Sequence, residues 1–140
     1  MKNKFTILGC GSSLGAPWIT NYMGKLKKNS KNIRTRCCAH IKYGNLSILI
    51  DTSPDIKSQF LKNKINSLDA IVYTHEHADQ TSGIFEMRPF FWKNKKKIPV
   101  YGSKRTIKAL ISKYTFCFKP RHGYKPIMAT NIIKNKFEVK

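Results

Sequence analysis

One stretch limits this chain more than any other. A compact apolar, β-prone run from Ala70 to Tyr73 ends directly in Thr74-His75-Glu76-His77-Ala78-Asp79-Gln80. The run reads as a short buried strand, and donors at a strand end are well held. In an extended or tightly turned segment His75 and His77 lie two apart and point to the same side, so their imidazoles can converge on one cation, and Asp79 points there as well. Imidazole nitrogen and carboxylate oxygen suit Zn2+, and a hydrolytic site needs about three protein ligands plus an open position for water. A bare pair of nearby histidines on a basic surface is most often chance. Here the preceding strand, the Thr at its end, the Asp at the fifth position and Gly83 just beyond favour a metal-derived loop.

The rest of the chain supplies a scaffold for such a loop. Phe5 to Leu8 reads as a strand stopped by the glycine loop at 9–15. That loop lacks the G-K-[ST] of a phosphate-binding loop, and Pro17 argues against a helix starting behind it, so it reads as a structural turn near the cleft. Residues 20–35 are polar, basic and aperiodic, hence a long loop. Cys37 to Tyr43 and Leu46 to Ile50 flank Gly44-Asn45 and form a hairpin. Asp51 to Pro54 offers a cap residue and a first-turn proline, and the spacing of Ile56, Phe60 and Leu61 predicts a helix over 54–63. Gly83 to Phe91 reads as a short helix or turn ending near Pro89, Val100-Tyr101 as a strand, and Thr106 to Tyr114 as a helix. Beyond Pro120 only a weak apolar pattern remains. Strands alternating with helices indicate an α/β fold, and no linker divides the chain, so residues 1–140 are expected to form a single domain.

Composition narrows the partners. Lys and Arg number 27 against 7 Asp and Glu, a formal net charge of +20, and such a field attracts phosphates and nucleic acid. The basic residues are mostly scattered lysines mixed with asparagines, which a biased genome would also produce; only Lys25 to Lys28 and Lys93 to Lys97 form clusters. Cys10, Cys37, Cys38 and Cys117 contain no C-x-x-C pair, so a reducing, cytoplasmic setting is expected. The N-terminus does not read as a secretory signal, and no run of about 18 apolar residues suggests a membrane span. His40 and His122 read as ordinary histidines, and Cys37 or Cys38 as small hydrophobes within the hairpin.

Several segments, in order, resemble the metallo-β-lactamase-fold hydrolases, and within them the phosphodiesterase branch that includes the tRNA 3′-processing endonucleases and the cyclic phosphodiesterase of phosphonate breakdown. Leu8 to Ser13 with Gly15 and Pro17 is similar to the family's first strand and glycine turn. Arg34-Thr35-Arg36 before the hairpin is similar to its second segment, and Ile48 to Asp55 to the strand that ends in its structural aspartate. Residues 74–80 with Gly83 and Arg88 stand where the family has T-H-x-H-x-D-H-x-x-G.

The resemblance implies an α/β fold equal to the N-terminal half of an αββα sandwich, one β-sheet layer with its helices, truncated before the second half. It implies that His75 and His77 ligand a first metal and Asp79, a catalytic position, a second, with Asp51 bracing the loop. Zinc or manganese and a phosphate-containing substrate are implied, with a bridging hydroxide attacking phosphorus in line. Two departures stand out. Gln80 replaces the motif's last histidine with a poorer zinc donor, and the family's later ligands have no counterpart. Three functions follow as expectations: a metal-dependent phosphodiesterase completed by a C-terminal fragment or a homodimer, a non-catalytic remnant, and a basic nucleic-acid-binding module. The lone sheet layer is expected to leave an apolar face open to a partner.

Overall fold

In a computed structural model, residues 3–27 and 29–139 are described; Lys28, the end of the first lysine cluster, lies outside them. Six strands form one sheet in sequence order: β1 (Lys4–Gly9), β2 (Cys38–Tyr43), β3 (Leu46–Ile50), β4 (Ala70–Val72), β5 (Ile98–Gly102) and β6 (Met128–Ile132). The first three are antiparallel and the rest parallel. The change of sense falls at β3, because a tight turn joins β2 to β3 whereas a helix joins β3 to β4. In that turn Gly44 takes φ 57°, the left-handed conformation that a residue without a side chain adopts freely. The chain belongs to the α/β class that its alternating pattern predicts.

The helices are α1 (Ile56–Lys62), α2 (Ala78–Thr81), a 3-10 turn (Ile84–Met87), α3 (Arg88–Asn94), α4 (Lys104–Lys113) and α5 (Thr115–Phe118). Leu49, Ile71 and Val100 from three neighbouring strands pack with Ile56, Ile107 and Leu110 from the helices, all buried. Full burial of such a side chain contributes about 1.5–3 kcal/mol. Ser103 caps α4 by accepting the Thr106 N–H at 3.1 Å. Two sequence expectations shift. Pro89 does not end a helix; it stands in the first turn of α3, where its missing N–H costs no intrahelical bond. The cap expected before α1 is displaced: Asp55 is the N-cap residue, Ser53 Oγ accepts its N–H, and Asp51 is engaged elsewhere. The tail that reads as weakly apolar forms β6, and α5 has no counterpart in the sequence reading.

The opposite face of the sheet is apolar and open. Ile41 pairs across the sheet with both Phe5 and Ile48, and Ile50 with Val72, so these side chains share one surface. Phe5 and Ile7 are 60% and 67% exposed there. Phe137 lies against Tyr101 on the way out, with ring centroids 5.3 Å apart, and covers part of the surface.

One ion pair locks the segment leading into β2 to the N-cap of α1. The Asp55 carboxylate accepts from the Arg36 backbone N–H and from its Nε, both at 2.9 Å, and pairs with the guanidinium terminus. Arg36 holds the Asp55 carboxyl below its ordinary value. Stability from a depressed carboxyl is present above its unfolded value and is lost as pH falls through the folded one. Asp55→Ala should therefore cost about 1.5–3 kcal/mol in urea denaturation at neutral pH. That deficit relative to the parent chain should shrink as the pH drops through Asp55's lowered value.

Candidate metal centre

The site is built where β3 and β4 end side by side. Asp51, just past β3, sits at φ 62°, a left-handed conformation uncommon outside glycine but tolerated by aspartate. From there its carboxylate reaches the neighbouring strand: Oδ1 accepts the Thr74 backbone N–H and Oδ2 the Thr74 hydroxyl, both at 2.8 Å. Burial pushes the Asp51 carboxyl up, while the two Thr74 donors pull it back down. Thr74 Oγ1 lies 2.9 Å from His75 Nδ1. Because that hydroxyl donates its proton to Asp51, it faces Nδ1 as an acceptor, which places a proton on Nδ1 and leaves Nε2 as the free donor to a metal.

Further ties fix the loop from both sides. The Thr52 N–H donates to the Gln80 carbonyl at 2.7 Å and the Gly83 N–H to the Thr52 carbonyl at 2.9 Å. A side chain at Gly83 would run into the Ser53 carbonyl, so only glycine allows this approach. On the outer side Arg105 of α4 pairs with the Glu76 carboxylate, and Lys113 Nζ donates to the Glu76 carbonyl at 2.7 Å. Thr81, whose hydroxyl donates to the His77 carbonyl at 3.0 Å, also meets the Tyr114 hydroxyl.

Within this frame the His75 and His77 rings stand 4.6 Å apart between centroids, edge to face, with His77 exposed and His75 half-buried. Asp79 opens α2, and its Oδ2 accepts from Gln80 Nε2 at 2.9 Å. Gln80 is buried, and its Oε1 has no hydrogen-bond partner. Among the described residues no three His, Cys, Asp or Glu side chains are grouped so as to hold a metal ion. The structure thus brings two imidazoles together and does not gather a third donor beside them. His40 is elsewhere, buried with its Nε2 2.8 Å from Ser47 Oγ, and His122 is exposed. Cys38 is buried, its thiol pushed up to about 12 by burial, whereas Cys37 is exposed. Glu76, Arg105 and Lys113 were not singled out in the sequence, since the two cations lie 29 and 37 residues from the glutamate they hold.

The likenesses agree with this architecture. A family model described as the beta-lactamase superfamily domain matches residues 47–140. A solved diphosphatase of the PhnP family is 28% identical with a TM-score of 0.81, covering 97% of this chain and 52% of its own. Zn2+-bound PqqB from Methylobacterium extorquens, at 16% identity, shares the fold with a TM-score of 0.73 over 99% of this chain and 52% of PqqB. An octanoyltransferase of Porphyromonas gingivalis is 30% identical over 116 residues, 81% of this chain but 23% of that protein. The chain therefore spans about half the length of these solved relatives and under a quarter of the octanoyltransferase. With residues 47–140 matched by the family model and the fold shared over 97% of its length with the diphosphatase, the chain belongs to the beta-lactamase superfamily and carries the metallo-β-lactamase fold.

Proposed function

We propose that this chain is a pre-built half of a metal-dependent hydrolase of phosphoesters, non-catalytic by itself and completed by ligands from a complementing segment of the same fold. The observation that carries this reading is the pairing of His75 with His77 on a braced loop where, among the described residues, no third donor converges. Two imidazoles fall short of the about three protein ligands that hydrolytic zinc requires. The described residues do not fit a complete catalytic metal, and no hydrolytic step rests on them alone. What they do is positional. Asp51 and Thr74 hold the His75 ring by its Nδ1, and Arg105 and Lys113 hold Glu76 between the two histidines. The phosphoester class is supported by the 28% identical diphosphatase and by the excess of positive charge.

Gln80 favours a second reading, a remnant without catalysis. Its amide occupies the motif's last histidine position, turned to Asp79 with a buried acceptor left unpaired, an arrangement that costs about 1–3 kcal/mol. A separation of the two readings comes from elemental analysis of tag-free protein with His75→Ala as control. The half-site reading expects zinc held well below one ion per chain, lost in His75→Ala and raised by Gln80→His, with no phosphodiester hydrolysis in any of the three. Stoichiometric zinc with hydrolysis by the chain alone would contradict it, and zinc uptake indifferent to His75 would leave only the remnant.

The open sheet face is the proposed seat of the complementing segment, and in its absence of a second copy of the chain. Sedimentation velocity should show concentration-dependent self-association that Ile7→Lys with Ile48→Lys abolishes while the melting transition stays cooperative. A parent chain that remains monomeric at high concentration would argue against this seat.

A further inference from the structure

Away from the histidine loop, α3, α5 and the turn before β6 enclose a cleft of about 620 Å3, within the roughly 300–1,000 Å3 common for small-ligand sites. It shares no lining residue with residues 74–80. Four aromatic side chains line it and stay exposed: Phe85 at 44%, Trp92 at 51%, Phe116 at 41% and Tyr124 at 58%. Such a collection of half-exposed rings in one concavity is an unspent apolar surface. At its centre the Arg88 guanidinium carbon lies 4.4 Å from the Trp92 ring centroid, 5.4 Å from that of Phe85 and 5.5 Å from that of Tyr124. Lys95, Lys125 and His122 stand on the same lining, and no carboxylate does.

The charge in this cleft is not internally compensated. The ion pairs among the described residues are Arg36 with Asp55 and Arg105 with Glu76, and Arg88 lies against ring faces. Ring faces attract a guanidinium but accept none of its in-plane hydrogen bonds, so its five N–H donors stay available to an anion. Phosphate matches that fork in two-point fashion. An acidic peptide would satisfy the cations and leave the rings without flat partners, whereas a nucleobase stacks on them.

We propose that this cleft binds a single-stranded nucleic acid segment, with phosphate on Arg88, Lys95 and Lys125 and a base against Trp92 or Tyr124. The inference stands independently of the metal centre, because it uses none of the loop histidines. It is tested with a chelator present, so that failure here and failure of the half-site reading remain distinct.

The probes are a short fluorescent oligouridylate and an abasic sugar–phosphate strand of equal length, added to a Trp18→Phe chain in which Trp92 is the remaining indole. Base–aromatic stacking should make the oligouridylate bind about tenfold tighter than the abasic strand and quench the Trp92 emission. Trp92→Ala, with Trp18 restored, and Tyr124→Ala should each bring the oligouridylate toward the abasic affinity. Raising the salt should weaken both strands together. Equal binding of the two strands would mean diffuse charge alone and would overturn the proposal. So would binding that leaves Trp92 emission unchanged, or no binding of the oligouridylate at low salt. The abasic comparison uses no substitution in the cleft, so it decides the matter even if an alanine variant misfolds.

Discussion

The placing of the first histidine at the candidate centre depends on one buried carboxylate. Asp51 links the end of β3 to the first residue beyond β4 through two hydrogen bonds to Thr74, and Thr74 in turn meets the His75 ring. The carboxylate reaches across because its own backbone takes a left-handed turn just where the strand ends. Burial raises its carboxyl above the ordinary value, so ionising it in the folded protein has a cost. By linkage its contribution is fullest below the unfolded carboxyl value and falls as pH rises through the folded one. The Thr74 donors offset part of that cost. A metal near His75 would offset more of it, since a nearby cation favours the charged form.

The same chemistry explains why the loop is formed without a closed set of ligands. Its support comes from backbone bonds to Thr52 and Gly83, from the Arg105 and Lys113 contacts with Glu76, and from Tyr114 through Thr81, all within this one layer. The open surface carrying Phe5, Ile7, Ile41 and Ile48 lies on the unprotected side of the same sheet. The paired histidines and the open sheet face belong to one sheet, and the chain spans 52% of the diphosphatase that it resembles. The aromatic cleft between α3 and α5 belongs to the other, helix-covered side and shares no lining residue with the histidine loop.

Much of this frame was legible in the residues. Short apolar runs and turn signals located β1, the β2–β3 hairpin and β4 to within a residue or two, and helical spacing located α1 and α4. The misses have physical causes. Pro89 reads equally as the end of one helix or the start of another, and only the 3-10 turn before it decides the matter. α5 is a single turn, too short for any period, and β6 depends on pairing with β5 across an insertion with no strong pattern. At the site, the sequence showed His75, His77 and Asp79 as three donors on one short segment. It could not show that Asp79 opens a helix and takes the Gln80 amide, because this depends on where α2 begins. The clamp on Glu76 was likewise invisible, being made by residues from a distant helix.

The central claim is that Asp51, through Thr74, holds the two histidine rings together in the metal-free chain. It is tested most directly by proton NOE spectroscopy of the metal-free protein, comparing the parent chain with Asp51→Ala after both are shown to be folded. The account expects a ring-to-ring cross-peak between His75 and His77 in the parent chain and its loss in the variant. A cross-peak missing from the parent chain, or one that persists undiminished in Asp51→Ala, would contradict it.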